Sequence, residues 1–135
     1  MSKALDRHEH RRGELDAFGR DLVRRSHAHC ELCRASGVGL SIYEVSPIPV
    51  SPDIEKVLFV CETCRDQLEH PRRLDEKHWR CLQVTAWSEL PVVKVMSLRV
   101  LRVLQQKQDW ARELLEQLYI DEISDAWANA AVLGE

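Results

Sequence analysis

No stretch of this chain approaches the roughly 18–20 consecutive apolar residues that a membrane-spanning helix needs. The opening MSKALDRHEHRR lacks the apolar core of a secretory signal, so the cytoplasm is the expected compartment. A basic excess is also missing: 19 Lys and Arg stand against 22 Asp and Glu, for a formal charge of −3. Nucleic-acid binding draws on clustered cations that neutralise phosphates, and this balance opposes it. No internal repeat or low-complexity tract is present. With 30% charged and 44% hydrophobic residues, the 135-residue chain is an ordinary folded domain, long enough to bury a core.

What the chain does have is five cysteines, four of them in two Cys-x-x-Cys pairs. Cys30-Glu31-Leu32-Cys33 and Cys61-Glu62-Thr63-Cys64 can each turn two sulfurs toward one point. Together they supply the four soft ligands of a tetrahedral Zn²⁺. In a reducing compartment such cysteines bind metal rather than form disulfides. Four thiolates leave no open coordination position, so the expected metal is structural rather than catalytic. Iron in a rubredoxin-like site has the same ligand set. Zinc is preferred because the second pair opens a helical stretch, Arg65-Asp66-Gln67-Leu68, whereas rubredoxin-like sites place both pairs on similar turns.

The order of elements frames that site. Residues 3–25 read as one helix, with Leu5, Leu15, Phe18, Leu22 and Val23 at mostly three- and four-residue spacings. Gly37-Val38-Gly39 marks a turn, Leu40–Val45 alternates as a strand, and the three prolines of 46–53 impose a loop. Lys56–Val60 is a second strand that delivers the chain to Cys61, and a helix follows up to Pro71. Residues 76–87 suit a short helix carrying Trp79, Leu82 and Trp87. Pro91 opens a long helix faced by Val93, Met96, Val100, Val103 and Leu104. Asp109 and Asp121 are expected to cap two more helices, the last carrying Ile123, Ala126, Trp127 and Ala130. The predicted class is α+β: a treble-clef-like zinc knuckle with a two-stranded hairpin, packed with a mainly helical C-terminal half. Its parts are an N-terminal helix (1–26), the knuckle (27–72) and a helical region (73–135) that joins the knuckle in one domain.

Other residues have competing readings. His29 and His70 flank the cysteine pairs, but with four thiolates at hand they read as surface or capping groups. Cys81 reads as a buried structural thiol, with His78 three residues away as its only nearby base. The four tryptophans read as core anchors, since Trp110 and Trp127 lack the basic neighbours of a base-stacking platform. Charge is uneven: residues 1–29 hold seven cations and four histidines against five acids, while from Asp109 onward seven acids face one Arg. The basic N-terminal helix reads as a solvated face with i,i+4 pairs rather than a phosphate contact.

The series Arg25-Ser26, Cys30-Glu31-Leu32-Cys33, Leu40–Val45 and Cys61-Glu62-Thr63-Cys64-Arg65 resembles the bacterial PhnA-domain proteins, named from an alkylphosphonate-utilisation gene cluster. The likeness continues through Leu74-Asp75, His78-Trp79-Arg80-Cys81-Leu82, Trp87-Ser88-Glu89, Pro91, Val95, Arg99, Trp110-Ala111, Leu114-Leu115 and Leu118-Tyr119. It spans roughly residues 23–130 and rests on order and spacing rather than on one short motif. The resemblance implies a cytoplasmic zinc-binding protein of unsettled biochemical role. It does not imply phosphonoacetate hydrolase, which needs Asp/His-rich two-metal ligation. The small C-terminal β-domain of many members has no counterpart in these residues, so its contribution is not expected here. HNH nucleases share such a scaffold, but they need a His base on the strand after the first pair. This chain has Tyr43 and Glu44 there, and no Asn between the pairs. The resulting expectation is a non-catalytic Zn²⁺ module, with Cys30, Cys33, Cys61 and Cys64 as ligands, that offers its helical half to a protein or small-molecule partner. The alternative is an enzyme or accessory factor acting on phosphonates or phosphate esters, with Tyr43, Glu44 or His78 lining a site.

Overall fold

A computed structural model describes residues 3–134. Helices α1 (Lys3–Asp16) and α2 (Gly19–Ser26) precede the first cysteine pair. A two-stranded antiparallel hairpin follows, β1 (Leu40–Glu44) and β2 (Val57–Cys61), with Leu40 opposite Cys61 and Glu44 opposite Val57. Then come α3 (Glu62–Glu69), the single turn α4 (Leu82–Thr85), α5 (Pro91–Leu104), α6 (Asp109–Gln117) and α7 (Glu122–Asn129). The mixed class and the hairpin agree with the sequence reading.

Helix α5 is the hub. The sequence suggested one apolar face, yet Val92, Val93, Val95, Met96, Ser97, Leu98, Arg99, Val100, Leu101 and Leu104 are all buried, while Val103 is half-exposed. A helix covered nearly all round must be wrapped by others. Here β2, α4, α6 and α7 surround it. Its one buried cation, Arg99, is held by carbonyls: it donates to Ser46, Trp127 and Ala128, tying the loop after β1 to the end of α7. The knuckle cysteines Cys30, Cys61 and Cys64 belong to the same continuous core as Trp79, Leu82 and α5.

Several local expectations need correction. The helix read over residues 3–25 is two helices, interrupted at Ala17–Phe18, where Phe18 N–H bonds Leu15 C=O in a tightened turn. Gly19 beside the break lowers the cost of leaving helical geometry. The interruption lets α2 bury Leu22 and Ser26 while α1 buries nothing. Residues 76–87 form a 3-10 turn, His78–Cys81, running into α4 rather than one helix. Gln108, not Asp109, precedes α6; Asp109 is its first helical residue and pairs with Arg112. Asp121 does cap α7, accepting from Ser124 N–H at 2.8 Å. Ile123 faces out, and Ser124 and Ala128 are the residues that α7 buries. Among the tryptophans, Trp79 is fully buried and Trp110 and Trp127 are half-buried, but Trp87 is exposed.

A partly buried ion pair, its Glu31 carboxylate inside and its Arg25 end partly exposed, fastens the first cysteine turn to β2. Arg25 grips Glu31 with two hydrogen bonds, 2.8 and 2.6 Å, and also donates to the carbonyls of Ile54 and Val57. Glu31 in turn accepts from Phe59 N–H at 2.8 Å, and its own N–H bonds Phe59 C=O. Removing one partner of such a pair strands a charge in a poor solvent. Arg25→Ala should therefore lower unfolding free energy by about 3 kcal/mol, while Arg25→Met with Glu31→Leu should recover most of it. Urea titration of the metal-saturated proteins measures both.

Candidate metal centre

The two cysteine pairs are presented by different local geometries. Cys30 and Cys33 sit on a tight turn: Arg34 N–H bonds Cys30 C=O, Cys30 N–H bonds Ala35 C=O, and Cys33 N–H points at Cys30 Sγ at 3.5 Å. Arg34 closes this turn at φ +70°, a left-handed conformation that side chains disfavour. Cys61 ends β2 and is at once the cap of α3, its Sγ accepting from Cys64 N–H at 3.5 Å. The second pair thus lies at the positive end of a helix, which favours thiolate.

The four sulfurs lie within 4.8 Å of one another. Cys30 Sγ is 3.7 Å from Cys64 Sγ, and Cys33 Sγ is 3.6 Å from Cys61 Sγ. A tetrahedral thiolate centre with metal–sulfur bonds near 2.3 Å sets its sulfurs about 3.8 Å apart, so the spacing suits one ion. Cys30, Cys61 and Cys64 are buried and Cys33 is half-buried. Without a cation the cluster holds its protons unevenly. The hydrogen bond shared with Cys64 holds Cys30 down, to about 4, whereas burial pushes Cys33 up to about 12. Cys64 is driven far up by that same bond and by burial. Four thiolates in so small a buried space require a positive charge among them, and a metal ion supplies it.

No protein-family model, curated protein or solved structure matches the chain. The site must therefore be read from its own chemistry.

Its nearest polar neighbour was not assigned to it from sequence. His78 Nε2 lies 3.2 Å from Cys64 Sγ, close enough to donate an N–H to the sulfur, and the ring stands edge-on to Trp79 at 5.1 Å. Sequence spacing offered His78 only as a base three residues from Cys81; the structure places its Nε2 against Cys64. Cys81 is half-buried, outside the four-sulfur group, and its thiol is pushed up to about 11 by burial. The flanking histidines stay off the sulfurs: His29 and His70 turn to the carbonyls of His27 and Asp66.

Of the residues named for the enzymatic alternative, Tyr43 and Glu44 share one recess and His78 lies in another. Glu44 is clamped by Arg11 at 3.0 and 2.6 Å. Tyr43 lies under the Arg65 guanidinium, with burial raising its hydroxyl above the usual range. Both line a recess with His70, while His78 lines a different cleft of about 460 Å³ beside Cys33 and Cys61.

A hydrogen bond to a ligating sulfur steadies the metal, and such outer contacts are commonly worth 10-fold or more in affinity. His78→Ala should speed metal loss to a chelator by about 10-fold with little change in fold, and His78→Gln should recover part of it. Release followed in a stopped-flow chelator assay decides this; an unchanged rate would leave His78 a packing residue.

Proposed function

We propose that Cys30, Cys33, Cys61 and Cys64 hold one structural Zn²⁺ in a treble-clef-like knuckle, and that the protein is a non-catalytic interaction or accessory module of the PhnA-domain kind. The observation that carries this reading is the closed cluster of four sulfurs at tetrahedral spacing. With all four positions taken by thiolate, the ion supplies cross-linking rather than a bound water. Zinc is favoured over iron by the setting of the second pair, which caps α3 instead of sitting on a turn like the first. The turn–hairpin–helix order supports the treble-clef plan, and the ordered residues from 23 to 130 support the family. Five free thiols fit a reducing cytoplasm, and among the described residues no helix is long and apolar enough to cross a membrane.

Metal analysis of purified protein should find one zinc per chain and no colour. A red protein with thiolate-to-iron absorption would replace zinc by iron, and a reproducible turnover of phosphonates or phosphate esters would overturn the non-catalytic reading. Cys61→Ser removes a ligand and should reduce zinc to well below one equivalent. Because structural zinc contributes on the order of 10 kcal/mol to such folds, Tm should drop by roughly 10 °C or more. A variant that keeps its zinc and its Tm would break the four-cysteine assignment.

The pH dependence has a definite sign. At neutral pH the metal-free site keeps protons on Cys33 and Cys64, since both thiols are pushed up, and zinc must displace them. Lowering pH therefore favours the protonated, metal-free site. With at least two protons released, apparent zinc affinity should fall by about 100-fold per pH unit between pH 8 and 6.5. Competition with a chromogenic chelator, corrected for its own protonation, measures the slope; a pH-independent affinity would mean the thiols are ionised before metal arrives.

A further inference from the structure

The helical half encloses a cavity of about 240 Å³, bounded by α5, the Ala86–Glu89 turn and the segment from Leu118 to Ser124. Ser97 lines it while only 1% exposed, and its Oγ has no hydrogen-bond partner among the described residues. A buried hydroxyl left unpaired is costly, and this one lies just beneath the cavity lining. At the mouth stand two aromatic side chains, Trp87 at 52% and Tyr119 at 88% exposure. Val84 and Ile123, each more than three-quarters exposed, lie three and four residues from them in sequence. Single exposed apolar groups need no explanation, but two aromatics converging on one cavity mark an interaction site.

Size and charge narrow what fits. A cavity of about 150 Å³ admits a benzene ring, so this one has room for a single bulky side chain and falls short of a typical drug-sized ligand pocket. Two carboxylates, Glu89 and Asp121, face one ammonium, Lys94, around the lining. The chain that forms one wall belongs to the acidic stretch from Asp109 onward, seven acids against one Arg. We infer that this cavity is the docking point for a partner protein segment that inserts one Trp or Tyr side chain and carries Lys or Arg beside it. The ring would cover Trp87 and Tyr119, and the flanking cation would answer Glu89 and Asp121. Aromatic anchors of this kind, buried in a pocket, dominate binding at protein interfaces. The inference rests on the interaction-module reading and gives that module its contact face.

The test uses the full, metal-loaded chain, labelled with ¹⁵N, and three capped pentapeptides: Lys-Ala-Trp-Ala-Arg, Lys-Ala-Ala-Ala-Arg and Glu-Ala-Trp-Ala-Glu. The first should saturably shift the amide resonances of Trp87, Ser97 and Ser124, and the other two should bind at least 10-fold more weakly. Ser97→Leu fills the cavity and should weaken the first peptide at least 10-fold; Trp87→Ser, a surface change, should do the same without touching the core. Equal response to all three peptides, shifts confined to another surface, or full binding by both variants would overturn the inference. So would concentration-dependent dimerisation abolished by Trp87→Ser, which would assign the face to a second copy of the chain. Metal content and turnover, measured on the same samples, keep the two readings apart: a zinc-loaded, inactive protein that ignores the peptides sinks only this proposal.

Discussion

Four sulfurs held within 4.8 Å of each other constrain nearly every element around them. As four thiolates they would repel one another, and a cation at their centre would offset that repulsion. Meeting that constraint fixes the hairpin register, because a slip of one residue would turn Cys61 to the opposite face of β2. It fixes the start of α3, which must follow Cys61 without a linker so that Cys64 comes round on the first turn. It also accounts for the strained left-handed Arg34 after Cys33, which the close turn demands.

The helical half supports this small centre through a few directed polar contacts laid over a shared core. Gln67 of α3 accepts from both Asp75 N–H and Trp79 Nε1, positioning the 3-10 turn that brings His78 to Cys64. Thr85 of α4 donates to Leu32 C=O at 2.7 Å, anchoring the middle of the first Cys-x-x-Cys. Arg99 performs the same service at the far end, where the loop after β1 meets α7. Knuckle and helices therefore share one core, and a metal held by the four sulfurs would act on more than its own coordination shell.

Much of this was legible in the sequence because it depends on local chemistry. Cysteine spacing, alternation in Leu40–Val45, the prolines of 46–53 and Pro91 at the head of a helix each act within a few residues. What escaped is set by tertiary packing. Periodicity could not reveal that α5 is wrapped on all sides, nor that a charged Arg99 would sit inside, since its partners are carbonyls far along the chain. Apolar identity alone placed Trp87 inside, whereas the structure turns it outward. The contact of His78 with Cys64 escaped for the same reason, since it joins residues 14 apart through tertiary packing. The four cysteines could be grouped from sequence, but the family resemblance remains a proposal that rests on residue order.

The two-stranded hairpin has a consequence for the solution behaviour of the chain. A short sheet ordinarily presents two free edges, each a template for another strand. Along β2 the outer edge is occupied at Phe59 by Glu31, which offers its carboxylate to the N–H and its own N–H to the carbonyl. Along β1 the Ile42 carbonyl is taken by Arg65, which also donates to Ser41 Oγ, while Arg11 covers the end at Glu44. Side chains thus act as surrogate neighbouring strands on both sides. The sheet is finished at two strands, and its backbone offers little purchase to strand-by-strand growth or to aggregation between copies.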